Sequence, residues 1–391
     1  MNGLESAPIL PGAALGILGG GQLGAMFGLA ARRMGYRVEC LSEADDNPAA
    51  RQSDRLHLVS FNDPAAVARA ATGLDAITLE FENIPVAAVE ALSSVAAMRP
   101  GPSVLFVTQD RIREKAFLQR HRFPCTPHRA VHSLAELRAA ADEIGLPAVL
   151  KTASFGYDGK GQRRLESAAD LVDAWNSVIG DGGRPEAVLE SWIDFDCEMS
   201  VVAARGPCGA TAAFPPFRNR HARHVLDVSS SPAGLSSGLV AEATALTVRI
   251  LEVLEVVGVA CVEFFVTRDG RLLVNEIAPR THNSGHLTIE ACATSQFEQQ
   301  VRAVCGLPLG SVHQHAPAAM ANLLGDGWSG GPPDWAAALD VPGVTLHLYG
   351  KAIARPGRKM GHLTALAATV EDAVGLVTEA RRRAFRGAGE S

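Results

Sequence analysis

Val262-Glu263-Phe264-Phe265-Val266, then Thr267-Arg268-Asp269-Gly270, then Leu272-Leu273-Val274-Asn275-Glu276 is the stretch whose reading decides the fold. Two runs rich in β-branched and aromatic residues flank a short polar turn, which predicts an antiparallel hairpin spanning Val259 to Val266 and Leu272 to Ile277. Each run carries a carboxylate among apolar residues. A buried charge needs a partner or a metal, and folding about the turn brings Glu263 close to Asn275 and Glu276. Carboxylate and amide oxygens are hard ligands suited to Mg²⁺, which also bridges phosphate oxygens. The turn register decides which of Asn275 and Glu276 shares a face with Glu263, and the sequence leaves that open. Edge-strand glutamates facing water are the bland alternative.

Working outward, Ala278-Pro279-Arg280-Thr281-His282-Asn283-Ser284-Gly285-His286 follows the hairpin directly. Arg280, His282 and Asn283 crowd a loop beside the candidate metal, where anion binding or proton transfer would be placed. Upstream, a strand ending at Lys151 leads into Phe155-Gly156-Tyr157-Asp158-Gly159-Lys160-Gly161-Gln162. Such a loop can fold its backbone amides over a polyphosphate while Lys151 supplies a fixed charge. A solvated hairpin loop has the same composition. Downstream, Lys351, Arg355, Arg358 and Lys359 surround Pro356-Gly357, a basic cluster in an acidic protein. A phosphate-bearing substrate explains it economically; solvated surface charge is the other reading.

Near the start, Gly19-Gly20-Gly21-Gln22-Leu23-Gly24 is formally GxGxxG between a strand and a helix, and Glu43 follows the second strand. Alone, this supports a nicotinamide-dependent dehydrogenase. Nothing later in the chain reads as hydride chemistry, and a glycine turn after a first strand is also plain α/β architecture.

The 391 residues, 47% hydrophobic and 20% charged, suggest a globular protein of two or three domains. A net charge of −6 argues against a general nucleic-acid binder. No apolar run reaches membrane-spanning length, and Met1 to Pro11 does not read as a signal peptide. Seven scattered cysteines without CxxC spacing fit free thiols in a reducing cytoplasm. Strands at Ala14 to Leu18, Arg37 to Leu41 and Asp75 to Leu79, with a helix at Gln22 to Met34, predict βαβ units and a parallel sheet. Mixed α+β structure is expected next: helices at Thr108 to Arg120, Leu134 to Ile144, Ala168 to Val178 and Ala243 to Val257, with strands at Ala148 to Lys151 and Ala187 to Ser191. A strand pair (Val344 to Leu348, Gly361 to Ala367) and a helix (Val370 to Arg383) close the chain. The division is 1–105, an α/β N-terminal domain; 106–315, an α+β domain with a lid at about 123–192; and 316–391, a small β-rich domain.

Taken in order, GGGQLG (19–24), LEFENIP (79–85), a lysine before GYDGKGQ (156–162), the two strand glutamates, NEIAPRTHNSGH (275–286) and RPGRKMGHL (355–363) strongly resemble the N5-carboxyaminoimidazole ribonucleotide synthetase family of the ATP-grasp superfamily. The resemblance runs from about Leu15 to Leu363. It implies a pre-ATP-grasp domain, an ATP-grasp domain and a C-terminal domain, with ATP and Mg²⁺ as cofactors. Arg111, Lys151 and Gly156 to Gln162 would meet the phosphates. Glu190, Ser191, Trp192 and Ile193 would line the adenine, Glu198 would take the ribose hydroxyls and His221 would stand in the nucleotide site. Glu263 and Glu276 would bind Mg²⁺, with Asn275 beside them. Gln22, Leu23, Glu82, Lys351, Arg358 and Lys359 would hold aminoimidazole ribonucleotide, while Arg280, His282 and Asn283 would lie near bicarbonate and the reacting amine. The glycine turn thereby becomes a substrate-side loop. A cytoplasmic homodimer using small-molecule substrates, without nucleic acid or membrane, is the implied setting.

Two departures stand out. Lys160 occupies a position where the family usually has arginine, which loses forked hydrogen bonding. After His221 the chain reads Ala222-Arg223-His224-Val225-Leu226, without the family's usual Asp-Gly. A formate-using glycinamide ribonucleotide transformylase would share the ATP residues, but the Thr281 to His286 run favours the carboxylating enzyme. A non-catalytic nucleotide-binding protein is the remaining alternative.

Overall fold

The computed structural model describes residues 7–45, 47–154, 161–180 and 185–385. Its first sheet follows from the run Ala14–Leu18, buried at every position. A strand buried on both faces needs cover on both sides, the condition of a parallel α/β layer. β1 (Ala14–Leu18) pairs in parallel with β2 (Arg37–Ser42) and with β4 (Ala76–Leu79). β3 (Arg55–Leu58) and β5 (Ala97–Met98) complete the order β3-β2-β1-β4-β5. The order in which strands are added reverses between β1 and β4, and the crevice beyond such a switch point is where open α/β sheets bind ligands. α1 (Gln22–Arg33) starts there.

The second sheet is antiparallel, with four strands: β6 (His128–Val131), β7 (Ala148–Thr152), β8 (Gln162–Leu165) and β9 (Ala187–Ser191), in the order β6-β9-β7-β8. Leu137, Leu150, Leu171 and Leu189 join this sheet to its two helices in one apolar cluster. The third sheet holds β10 (Phe195–Arg205), β11 (Thr211–Ala213), β12 (Phe217–Ala222), β13 (Val225–Ser231), β14 (Gly258–Thr267), β15 (Leu272–Ala278), β16 (Ala318–Leu324), β17 (Val344–Leu348) and β18 (Lys359–Leu366). Its order is β15-β14-β10-β12-β13-β16-β18-β17, with β11 on β10. The expected hairpin is β14–β15. The C-terminal strands extend its sheet through β16, which pairs with β13.

Three expected boundaries moved. The helix read over Thr108 to Arg120 is broken into Pro102–Thr108 and Arg111–Arg120, because the Asp110 side chain accepts the Arg113 N–H and caps a new start. The helix read over Ala243 to Val257 runs Ser237–Val253, capped by Ser236 through the Leu239 N–H. The stretch read from Ala168 opens as a 3-10 turn before the helix Leu171–Ile179. β16, sequence AAMANLL, went unread because alanine-rich runs carry no strand signal.

The helix Gln296–Cys305 fastens the first sheet to the third. Phe297, Val301 and Val304 share a cluster with Phe27 of α1, and Gln300 donates to Thr78 of β4 at 2.7 Å. The crevice of the first sheet is thereby held against the end of the hairpin β14–β15.

Candidate active site

A cleft of about 1200 Å³ opens where the three sheets meet. Its floor is the hairpin β14–β15. Glu263 stands directly opposite Glu276, and the register then slips so that Phe264 faces Val274. Asn275 is therefore the extra residue of a β-bulge, and Glu276 is the partner on the face of Glu263. Bulges re-aim side chains beside active sites. Here the bulge leaves the Asn275 amide oxygen buried without a hydrogen-bond partner among the described residues. Burial first, and then the charge on Glu263, raise the Glu276 carboxyl above its ordinary range.

Two adjacent carboxylates and an unpartnered amide oxygen fit a hard divalent cation. No group of three or more His, Cys, Asp or Glu side chains able to hold a metal occurs among the described residues. Glu263, Glu276 and the Asn275 amide oxygen are hard oxygen donors of the kind Mg²⁺ takes, which completes its shell with water and phosphate oxygens.

One wall is a buried ion cluster. Lys151 of β7 donates to Glu190 of β9 at 2.8 Å. Lys115, only 1% exposed, stands 3.5 Å from the other Glu190 oxygen and donates to the Asn275 carbonyl at 2.8 Å. Burial alone would push the Glu190 carboxyl up. Lys115, Lys151 and Arg111 outweigh it and hold the carboxyl at about 2. Glu114, next along the helix Arg111–Arg120, is pushed up to about 8 by burial, and accepts the Ile277 N–H at 2.9 Å. Arg111 lines the cleft at the start of this helix, donating to the Thr152 carbonyl.

The end of the cleft between β9 and β10 is more apolar. Ser191, Trp192 and Ile193 line it beside Phe195 and Phe265, whose rings stack at 4.9 Å. The Arg164 guanidinium lies 3.8 Å over the Trp192 ring. Glu198 of β10 binds the His221 ring of β12 at 2.7 Å. Burial opposes charge on that ring, but Glu198 outweighs it and raises the imidazole.

At the opposite end, Arg280 forks onto Glu82 with contacts of 2.5 and 3.0 Å. Burial disfavours both charges. The pairing prevails, holding the Glu82 carboxyl down and the guanidinium firmly charged. His282 Nε2 meets Glu263 at 2.8 Å, and its Nδ1 meets the Ser284 hydroxyl at 2.8 Å. Burial again opposes charge on both partners. His282 outweighs it at the Glu263 carboxyl, which is lowered, and Cys261 together with Glu263 outweighs it at the His282 imidazole, which is raised. Asn283 is buried at the cleft edge with neither amide atom hydrogen-bonded to a described residue.

The glycine turn is closed by the protein itself. Glu80 accepts the backbone N–H groups of Gly21 and Gly24, the donors a dinucleotide phosphate would take. Glu43 is likewise engaged, accepting the Phe61 N–H at 3.0 Å. Gln22 and Leu23 still line the cleft beside Glu82.

Of the residues expected in the site, Arg111, Lys151, Gln162, Glu190 to Ile193, Glu198, His221, Glu263, Asn275, Glu276, Arg280, His282, Asn283, Gln22, Leu23, Glu82 and Lys359 converge on this one cleft. Gly161 precedes β8 with φ 71°. Gly156, Tyr157, Asp158, Gly159 and Lys160 lie outside the described residues. Lys351 and Arg358 stand beyond the cleft lining, donating to the carbonyls of Lys359 and Ile353 at 2.7 Å each. Lys115, Glu114 and Glu80 were not anticipated. In sequence, Glu114 and Lys115 look like the surface charge of a polar helix, and only their packing shows otherwise.

Comparisons with known proteins match this arrangement along the chain. A ribonucleotide synthetase preATP-grasp domain matches residues 13–109, an ATP-grasp domain 116–297, and a phosphoribosylaminoimidazole carboxylase C-terminal domain 318–374. The N5-carboxyaminoimidazole ribonucleotide synthase of Brucella melitensis is 43% identical over 361 residues, covering 92% of this chain and 98% of that protein. The chain belongs to the N5-carboxyaminoimidazole ribonucleotide synthase family. It is an ATP-grasp ligase.

The synthase of Bacillus subtilis is 41% identical over 91% of this chain and 92% of its own length. Among solved structures, the Thermus thermophilus synthetase superposes with a TM-score of 0.85 at 40% identity, covering 96% of this chain and 99% of that one. The Aspergillus clavatus synthase, solved with ADP and the aminoimidazole ribonucleotide, gives 0.86 at 31% identity, with 96% and 99% covered.

Proposed function

We propose that this cleft carboxylates 5-aminoimidazole ribonucleotide to N5-carboxyaminoimidazole ribonucleotide, using bicarbonate and ATP, as a step of purine biosynthesis. The observation that carries the reading is the meeting of Arg280, His282 and the unpartnered Asn283 amide with the Glu263–Glu276 pair at one end of the cleft. An anion held by Arg280 and Asn283 would lie beside the metal ligands, as a nucleophile attacking a terminal phosphate must.

Lys151 and Arg111 would take the phosphates, together with the loop 156–162. Glu263, Glu276 and Asn275 would hold Mg²⁺, which neutralises phosphate charge when bound. A bicarbonate oxygen would attack the γ-phosphorus while the bond to the bridging β–γ oxygen breaks, releasing ADP and leaving carboxyphosphate. Glu82 would hold Arg280 in its forked geometry throughout, so that the donors are aimed before charge develops. The lid must then exclude water, because carboxyphosphate hydrolyses readily. The exocyclic amine of the ribonucleotide, held near Gln22, Leu23, Glu82, Lys351, Arg358 and Lys359, would take up the carboxyl group or CO₂ derived from it, releasing phosphate. His282 is the proposed proton carrier.

The test is ADP release by the purified protein with Mg-ATP and bicarbonate, with and without aminoimidazole ribonucleotide. Stimulation by that nucleotide, and none by glycinamide ribonucleotide with formate, is expected. Stimulation by the glycinamide pair alone would overturn the reading. No helix among the described residues is long and apolar enough to cross a membrane. A cytoplasmic homodimer divided into domains 1–105, 106–315 and 316–391 completes the proposal, and light scattering of the purified chain checks the dimer.

A further inference from the structure

The hairpin β12–β13 closes on two residues. Ala222 pairs with Val225, which leaves Arg223 and His224 as the whole loop. Both have positive φ, 50° and 65°. This is the type I′ geometry that matches strand twist, and it favours Asn-Gly or Asp-Gly because larger side chains are crowded there. Arginine and histidine side by side in such a turn place two bulky residues in the left-handed region. Backbone strain of this kind persists where function or surrounding packing holds it.

Packing does not account for it here. The Arg223 side chain is 80% exposed and reaches Asp326 only at 3.6 Å. His224 is exposed, and its Nδ1 stands 3.5 Å from the Gln162 amide nitrogen across the cleft. Contacts this long and this solvated contribute little to stability. What the turn does have is position. Both residues line the cleft, two and three residues beyond His221, and they face the root of β8, where the glycine loop rejoins the lid.

We propose that the Arg223–His224 turn is a clasp on the polyphosphate of the bound nucleotide. The guanidinium leaves Asp326 to meet phosphate oxygens, and His224 engages the lid at Gln162. The proposal rests on the nucleotide reading of the cleft. A guanidinium is suited to this because it stays charged and donates two parallel hydrogen bonds to a phosphate. The strained backbone aims the side chain over the cleft mouth, where an ideal Asn-Gly turn would present no cation.

Replacing the turn by its favoured residues, Arg223→Asn with His224→Gly, separates strain from function. The melting temperature should rise, while the affinity for Mg-ADP, followed by calorimetric titration, should fall about tenfold, the scale of one charge-assisted hydrogen bond. Affinity for AMP, which lacks the polyphosphate, should not change. Arg223→Ala keeps a residue with a Cβ in the turn and should show the same tenfold loss. Wild-type affinity for Mg-ADP in both variants would overturn the proposal, and so would an equal loss for AMP. Absence of Mg-ADP binding by the wild-type chain would instead overturn the nucleotide reading beneath it.

Discussion

Lys115→Met removes a cation from the centre of the buried cluster while keeping most of the side-chain volume, so packing changes little. Lys115 is 1% exposed, stands 3.5 Å from Glu190 and donates to the Asn275 carbonyl at 2.8 Å. Removing one partner of a buried ion pair costs about 3–5 kcal/mol, because the other charge is left uncompensated. Lys151 still holds Glu190 at 2.8 Å, which places the expected loss at the lower end, about 3 kcal/mol.

The pH dependence supplies a second reading. The Glu190 carboxyl is held at about 2, below its ordinary value of 4.5. A depressed carboxyl stabilises the fold above its unfolded value, and that contribution is lost as pH falls through the folded value. The wild-type chain should therefore lose on the order of 3 kcal/mol through this group between about pH 5 and pH 2. The variant should lose less over the same window. Urea unfolding at pH 7 and pH 3 measures both effects. Lys115→Met combined with Glu190→Gln should recover at least half the loss at pH 7, since no lone charge remains. A loss below about 1 kcal/mol in the single variant, with an unchanged pH response, would refute the idea that the cluster stabilises the cleft. Lys151, answering to Glu190 alone, should also bind phosphate less readily and raise the KM for ATP.

Three further outcomes are expected. Glu276→Gln should abolish ATP turnover and weaken Mn²⁺ binding in the presence of ADP, measured by electron paramagnetic resonance; near-normal turnover would remove Glu276 from the metal site. Glu82→Gln loosens the fork on Arg280, and should lower kcat/KM for bicarbonate by at least about tenfold while leaving the KM for ATP near its wild-type value. In Gly21→Ala the new Cβ would lie 2.6 Å from both Glu80 oxygens, which should displace that carboxylate and raise the KM for the ribonucleotide; an unchanged KM would show that the turn does not shape the substrate end.

Much of the fold was readable locally. The parallel sheet followed from apolar strands separated by one helical stretch and a glycine turn, and β14–β15 from two β-rich runs about Thr267 to Gly270. Helix starts were missed where a side chain, Asp110 or Ser236, redefined the first turn. β16 was missed because alanine-rich AAMANLL has neither the period nor the composition of a strand. In the site, residues gathered in short motifs were legible: Lys151, Glu263, Glu276, Arg280 and His282 each stand in a run with its own chemical logic. Residues that act through burial were not. Lys115 and Glu114 belong to a helix with hardly any apolar face, and nothing in Arg-Glu-Lys marks it for the interior.

The sequence by itself determined the ingredients: a parallel α/β beginning, a hairpin with a carboxylate in each strand, and a glycine-rich and a polar, basic loop on either side. These depend on periodicity and turn chemistry, which span a few residues. Only the tertiary structure decided the pairings. The slip that sets Glu276 rather than Asn275 opposite Glu263 arises within the ladder of β14 and β15. Glu80 closes a turn 59 residues away, Lys115 donates to a carbonyl 160 residues away, and Glu82 grips an arginine 198 residues away. Such contacts carry no local signature, because each side chain alone is an ordinary surface charge. Burial against a partner brought in by the packing of whole sheets makes them part of the site.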